Sequence, residues 1–249
     1  MKKIDMHAHL WLHSHKESEK AILSGIGNQE IEKFYISGLS VLIPSKEQVY
    51  EANKVVAECI KNNPGKIEGY VYISPEHDNA VDVLKRGIEE QNMIGAKFWV
   101  SEKCDSMAVN PVAEKIIDYN IPLLIHAFED PNPNANQGTA ENVRNLALRY
   151  PELKIIMAHL GGNCYHGIPL IRDLKNVWVD ISGDNVTWQA VKYTVDSLGA
   201  DKVMFGSDMP GISYLSPIGK IEDAGLTQAE KKKIYYDNTV RLFDTDFKI

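Results

Sequence analysis

Side chains two positions apart on an extended segment point to the same side, and His7 and His9 stand so in Ile4-Asp5-Met6-His7-Ala8-His9. Two imidazoles sharing one spot can grip a divalent cation. The pair alone is a weak signal, because satisfied core histidines show the same spacing. Three further residues of ligand type each follow a short apolar run. His126 comes after Pro122-Leu123-Leu124-Ile125, His159 after Ile155-Ile156-Met157-Ala158, and Asp208 after Val203-Met204-Phe205-Gly206-Ser207. Three imidazoles and a carboxylate suit an ion such as zinc, with nitrogen and oxygen ligands at about 2.0 to 2.2 Å.

Such scattered residues meet only if the runs that carry them are parallel strands of one sheet. Apolar runs at Lys3 to His9, Leu39 to Ile43, Ile67 to Ile73, Ile94 to Val100, Ile121 to Ala127, Leu153 to His159, Val177 to Ile181 and Val203 to Phe205 alternate with segments of helical period. Several are apolar on both faces, as a strand covered on both sides must be. Ser45-Lys46-Glu47-Gln48 and Thr227-Gln228-Ala229-Glu230 read as capping boxes, opening helices to about Asn62 and through Leu242. The Pro- and Asn-rich stretch Asp130 to Gly138 reads as a long loop and candidate lid. Eight strand–helix units predict a (β/α)8 barrel, a single domain over residues 1–249, with a doubly wound open sheet as the alternative. In a barrel the carboxyl ends of the strands form one rim, where His7, His9, His126, His159 and Asp208 would converge.

The remaining composition excludes other classes. With 249 residues, 44% of them hydrophobic, the chain can bury a sizeable core. Its 27 Lys and Arg against 34 Asp and Glu leave a net charge of −7, and nothing makes the basic stripe that nucleic acid wants. Gly25-Ile26-Gly27 does not continue into a dinucleotide fingerprint, and neither a P-loop nor a Gly-x-Ser-x-Gly elbow occurs. Cys59, Cys104 and Cys164 are an odd, scattered set, which argues for a reducing compartment. No apolar run is long enough for a membrane span, so the expectation is a soluble cytoplasmic protein with a small-molecule substrate, its oligomeric state left open.

The ordered set Ile4-Asp5-Met6-His7-Ala8-His9, Gly95-Ala96-Lys97-Phe98, Leu124-Ile125-His126, Met157-Ala158-His159-Leu160-Gly161-Gly162, Phe205-Gly206-Ser207-Asp208-Met209-Pro210 and Asn238-Thr239-Val240-Arg241-Leu242-Phe243 resembles the amidohydrolase superfamily. It is closest to the amidohydrolase-related branch of metal-dependent hydrolases and decarboxylases. The resemblance implies that His7, His9 and His126 are metal ligands, with Asp208 a ligand or the base beside the metal. His159 then polarises the substrate, shuttles a proton or binds a second ion. Lys97 matches the strand where some members carry a carboxylated bridging lysine, and the reading favours an unmodified lysine that holds a substrate carboxylate or carbonyl oxygen. Zinc is the expected metal, with manganese, iron or cobalt as alternatives for the same ligands.

The leading expectation is a hydrolase that uses a metal-activated water on an amide, ester or lactone. The alternative is a nonoxidative decarboxylase of an aromatic or unsaturated acid, and a third is a metal-binding scaffold without catalysis. Other residues carry smaller expectations. Asp5 shares parity with His7 and His9 and would orient a histidine or pair at the barrel floor. Asp180 and Asp184 read as solvated loop carboxylates, and His13 and His15 as exposed near the rim. Cys164 reads as a buried thiol, His77 as a surface turn, and Trp11, Phe98, Trp99 and Trp188 as core or pocket wall. His166 would reach the pocket.

Overall fold

The computed structural model describes residues 1–129, 136–183, 187–244, 246, 247 and 249. Eight parallel strands pair in chain order: β1 Lys3–Trp11, β2 Ile31–Leu39, β3 Ile67–Ile73, β4 Gly95–Phe98, β5 Leu123–Ile125, β6 Ile155–Met157, β7 Val177–Asp180 and β8 Val203–Met204. The two-residue β8 is met by β1 through backbone bonds. Met6 N–H donates to Phe205 O at 3.1 Å, Asp208 N–H to His7 O at 2.7 Å and His9 N–H to Met209 O at 2.7 Å, which brings the sheet round on itself. The expected (β/α)8 barrel is therefore the fold.

Helices α1 His15–Gly25, α2 Lys46–Asn62, α3 Ala80–Glu89, α4 Asn110–Tyr119, α5 Ala140–Arg149, α6 Cys164–Ile171, α7 Ala190–Leu198 and α8 Leu215–Asp223 follow the strands, and α9 Gln228–Lys232 and α10 Asn238–Leu242 end the chain. Both sequence-read capping boxes form, Ser45 with Gln48 ahead of α2 and Thr227 with Glu230 ahead of α9. A π-turn over Lys233–Asp237 joins α9 to α10, so the terminal helical stretch runs to Leu242 as expected.

Alternating strand faces divide the core. One face sends Ile4, Met6, Tyr35, Tyr70, Leu124, Ile156, Trp178 and Met204 into the barrel interior. The other packs residues such as Ile36, Val71, Phe98, Ile125, Ile155 and Val179 against the helices. Strand β4 adds no apolar side chain to the inner layer. A Cβ at Gly95 would lie 2.8 Å from the Tyr70 ring, and Lys97 is the inward residue above it.

Two sequence expectations need correction. The second strand is Ile31–Leu39 rather than Leu39 to Ile43, because Glu32 and Lys33 mask its start and the apolar triplet beyond it is on the surface. Val41, Leu42 and Ile43 are 48%, 64% and 73% exposed, in the loop ahead of α2. Strand β1 also does not keep one parity: its pairing with β2 slips between Asp5 and Ala8. This bulge lets Ile4 and Met6 pack in the barrel floor while His7 and His9 face the rim. Most of the loop Asp130 to Gly138, and Asp184, lie outside the described residues.

Candidate active site

His7 and His9 are buried at the carboxyl end of β1, and every ring nitrogen has a partner. His7 Nδ1 lies 2.7 Å from Asp180 Oδ2, and His9 Nδ1 lies 2.8 Å from Ser37 Oγ, the β2 residue in register with it. Asp180 can only accept, so His7 carries its proton on Nδ1 and leaves Nε2 bare. The two Nε2 atoms lie 3.0 Å apart, His9 Nε2 is 3.0 Å from Asp208 Oδ1, and Lys97 Nζ is 3.2 Å from His7 Nε2. Burial lowers the pKa of both imidazoles, with the nearby Lys97 charge adding to the effect.

Two imidazole nitrogens and a carboxylate oxygen aimed at one point, all within 4.8 Å of one another, form a donor set that a divalent cation fits. Hydrogen bonds behind the rings hold them in place, as metal-ligating histidines commonly require. His7, His159 and Asp180 make a second close group, but there the His7 nitrogen is already given to the Asp180 carboxylate.

The structure places His126 beside this set rather than in it. Its Nδ1 lies 3.1 Å from His159 Nε2 and its Nε2 lies 3.2 Å from Gln137 Oε1. His159 follows β6 in the left-handed region, at φ +58°, a conformation that costs a non-glycine residue about 1–2 kcal/mol. Its backbone N–H is held by Asp180 Oδ1 at 3.1 Å, and Ser182 Oγ lies 2.9 Å from its Nδ1. Burial pushes the His159 pKa down to about 4.

Asp180 is the largest departure from the sequence reading. Taken there as a solvated loop carboxylate, it is wholly buried on the inward face of β7. It accepts from His7, from the His159 and Ser182 amides and from the Ser182 hydroxyl. Burial alone would raise its pKa, but the His7 and Ser182 contacts outweigh that and hold it well below the usual carboxylate range. Asp208 is likewise held low by His9 against the effect of burial. Lys97 is wholly buried, and burial pushes its pKa down to about 8 although Asp208 and Asp180 favour the charge.

Asp5 orients no imidazole. Beyond the bulge its Oδ1 accepts the His7 amide at 3.3 Å and the Ser207 amide at 2.9 Å, so it fixes the two chain segments that carry His7 and Asp208. Burial raises its carboxyl to about 7.

The cleft above these groups has a volume of about 350 Å³ and is lined by His126, Phe128, Gln137, His159, Gly183, Asp208, Gly211 and Ile212. It opens on the β5 to β8 side. Trp11 and Trp99, with ring centroids 5.6 Å apart, pack with Leu39 and Tyr72 toward the β1 to β4 side. Phe98 is core, whereas Trp188, expected in core or wall, is 76% exposed. His166, expected to reach the pocket, is not among the cleft-lining residues; it is half exposed and bridges Glu129 and Glu141. His13 is exposed, His15 bonds Leu12 O, and all three cysteines are buried and free.

Sequence reasoning missed Ser37, Asp180 and Ser182. For Ser37 the available signal is its β2 register with His9, and for the other two the polar pair Asp180-Ile181-Ser182 closing an apolar strand.

The amidohydrolase family model matches residues 4–245. A γ-resorcylate decarboxylase of Rhodococcus jostii is 22% identical over 266 aligned residues, covering 82% of this chain and 80% of that protein. The crystal structure of 2,6-dihydroxybenzoate decarboxylase from Rhizobium superposes with a TM-score of 0.77 at 18% identity, covering 99% of this chain and 100% of that one. A dihydroxybenzoic acid decarboxylase from Polaromonas, solved with bound manganese and the inhibitor 2-nitroresorcinol, gives a TM-score of 0.77 at 18% identity over 99% of this chain and 98% of that one. At these identities the structural likeness establishes the shared barrel. Among the described residues, no helix is long and apolar enough to cross a membrane.

Proposed function

The chain belongs to the amidohydrolase family, and from that premise we propose that it is a metal-dependent carboxy-lyase, which removes carbon dioxide without oxidation from a small aromatic acid. The observation that carries this reading is the cleft: about 350 Å³, single-ring in scale, walled by Phe128 and Ile212 and reaching Asp208 and His159. The relatives named as γ-resorcylate decarboxylases support it, and they favour the decarboxylase over the hydrolase that the motifs alone put first.

His7, His9 and Asp208 would hold the divalent ion, with His126 joining them by a turn of its ring toward the same cleft. The ion supplies a positive charge that grips an acidic substrate and polarises it. The manganese-bound neighbour makes manganese as good a candidate as zinc. Lys97, buried beside His7, would neutralise the substrate carboxylate, and Phe128 and Ile212 would confine the ring and exclude water. The bond between ring and carboxylate breaks, its electron pair stays on the ring carbon and takes up a proton, and carbon dioxide leaves. His159 Nε2, within the cleft, would first take a proton from the substrate's ring hydroxyl or from water and then pass it to that carbon.

The test is release of labelled carbon dioxide from carboxyl-labelled hydroxybenzoates, in deuterated water, by the manganese- and zinc-loaded protein. One deuteron on the product ring per carbon dioxide is expected, with turnover nearly abolished in Asp208→Asn and His159→Gln. Turnover of an ester, lactone or amide panel with none of the acids would overturn the reading.

A further inference from the structure

We propose that Ser182 is a positioning residue that fixes the tautomer of His159, keeping the proton on Nδ1 and presenting a bare Nε2 to the cleft. Four buried side chains, Ser182, Asp180, His159 and His7, share the protons that decide this. Ser182 Oγ touches three atoms: Asp180 Oδ1, His159 Nδ1 at 2.9 Å and His7 Nδ1 at 3.0 Å. A hydroxyl has one proton to donate and two lone pairs with which to accept. His7 Nδ1 spends its own proton on Asp180 Oδ2, the shorter contact and the charged acceptor.

If Ser182 donated instead to His159 Nδ1, its oxygen lone pairs would face Asp180 Oδ1 across a very short contact with no proton between them. The hydroxyl therefore donates to Asp180, and its remaining contact with His159 is made only if Nδ1 carries a hydrogen. The neutral His159 ring then has its bare nitrogen at Nε2 on the cleft wall, where it accepts from His126 Nδ1–H at 3.1 Å, and His126 Nε2 in turn accepts from the Gln137 side-chain amide, its NH2 group turned toward the ring.

The next residue completes the device. Gly183 adopts φ +80°, and a Cβ there would lie 2.7 Å from His159 Nδ1, so Asp180-Ile181-Ser182-Gly183 supplies the anchor, the acceptor and the room. That Nε2 exchanges a proton with substrate rests on the carboxy-lyase reading, whereas the tautomer itself does not.

The experiment is a two-bond proton–nitrogen correlation spectrum of the zinc-loaded protein labelled with ¹⁵N-histidine, with His159 identified by its loss in His159→Gln. The native protein should show His159 protonated at Nδ1, and Ser182→Ala should release the ring to a mixture or to the Nε2–H form. For an active acid, kcat should fall about 10- to 100-fold in that variant, with KM and metal content unchanged, while Ser182→Thr restores both tautomer and turnover. An Nε2–H ring in the native protein would overturn the proposal without any variant, as would an unchanged tautomer in folded Ser182→Ala. Failure to find a decarboxylated acid while the Nδ1–H tautomer stands would count against the reaction and leave the assignment of Ser182 in place.

Discussion

Asp180 Oδ2 takes the Nδ1 proton of His7 at 2.7 Å, and neither side chain has any solvent exposure. The bond decides which His7 nitrogen can bind a cation, because a carboxylate accepts but cannot donate. In Asp180→Asn an amide that turns its NH2 group toward His7 makes Nδ1 the acceptor, moves the ring proton to Nε2 and removes the metal-facing lone pair. Metal affinity should fall about 10- to 100-fold, measured by titration against a competing chelator. Asp180→Ala should also lose about 3–5 kcal/mol of stability, since it strips the partner from buried donors on His7, His159 and Ser182. Metal affinity unchanged in Asp180→Asn would show that His7 is not a ligand through Nε2.

Burial of His7, His9, His126 and His159 makes the fold acid-sensitive, and the sign follows from the direction of the shifts. Each imidazole is harder to protonate in the folded chain than in the unfolded one, where it titrates near 6.5. On acidification the unfolded chain takes up protons first, so stability falls as pH drops from about 6.5 toward the folded value, about 4 for His159. Protein stripped of metal should lose Tm steadily over that window, and His159→Gln should lose less. Parallel melting curves for the two would remove His159 from the account.

The parts of this site visible in sequence are those that announce themselves by period. His7 and His9 show through strand alternation, and Asp208 through its position after an apolar run. Asp180, Ser182 and Ser37 were hidden because their polarity reads as solvation, and only the inward turn of β7 and the register of β2 on β1 show them to be buried. The start of β2 was hidden by Glu32 and Lys33, while the exposed Val41-Leu42-Ile43 imitated a strand. Parity placed Asp5 with the two histidines, and a one-residue bulge separated them. Backbone period is a local property, whereas bulges and side-chain partners are set by the neighbouring strand.

Gly183 and Gly27 share a positive φ, at +80° and +81°, but differ in surroundings. Gly27 is left-handed and a Cβ there would touch nothing within 4 Å, so Gly27→Ala reports the conformational cost alone, about 1–2 kcal/mol. A Cβ at Gly183 would lie 2.7 Å from His159 Nδ1, so Gly183→Ala should cost more and should displace the imidazole. Chemical denaturation of the two variants gives the clash as a difference. A Gly183→Ala protein as stable as Gly27→Ala would mean that His159 yields without resistance and is not held where the hydrogen bonds place it.

Lys97 presents the opposite balance, a group whose removal should help the fold and harm function. A wholly buried ammonium whose pKa burial pushes to about 8 is destabilising relative to its solvated form by on the order of 3 kcal/mol, a balance that already includes the favourable pull of Asp208 and Asp180. Methionine matches its length without the charge, so Lys97→Met should unfold at the same or higher denaturant concentration. If Lys97 anchors the substrate carboxylate, the same variant should raise KM at least tenfold with a smaller change in kcat. In the native enzyme, affinity for an acidic substrate should then decline as pH rises through about 8, where the ammonium loses its proton, and Lys97→Met should show no such decline. Retention of that pH dependence in Lys97→Met would assign it to another group and leave Lys97 as a structural charge beside His7.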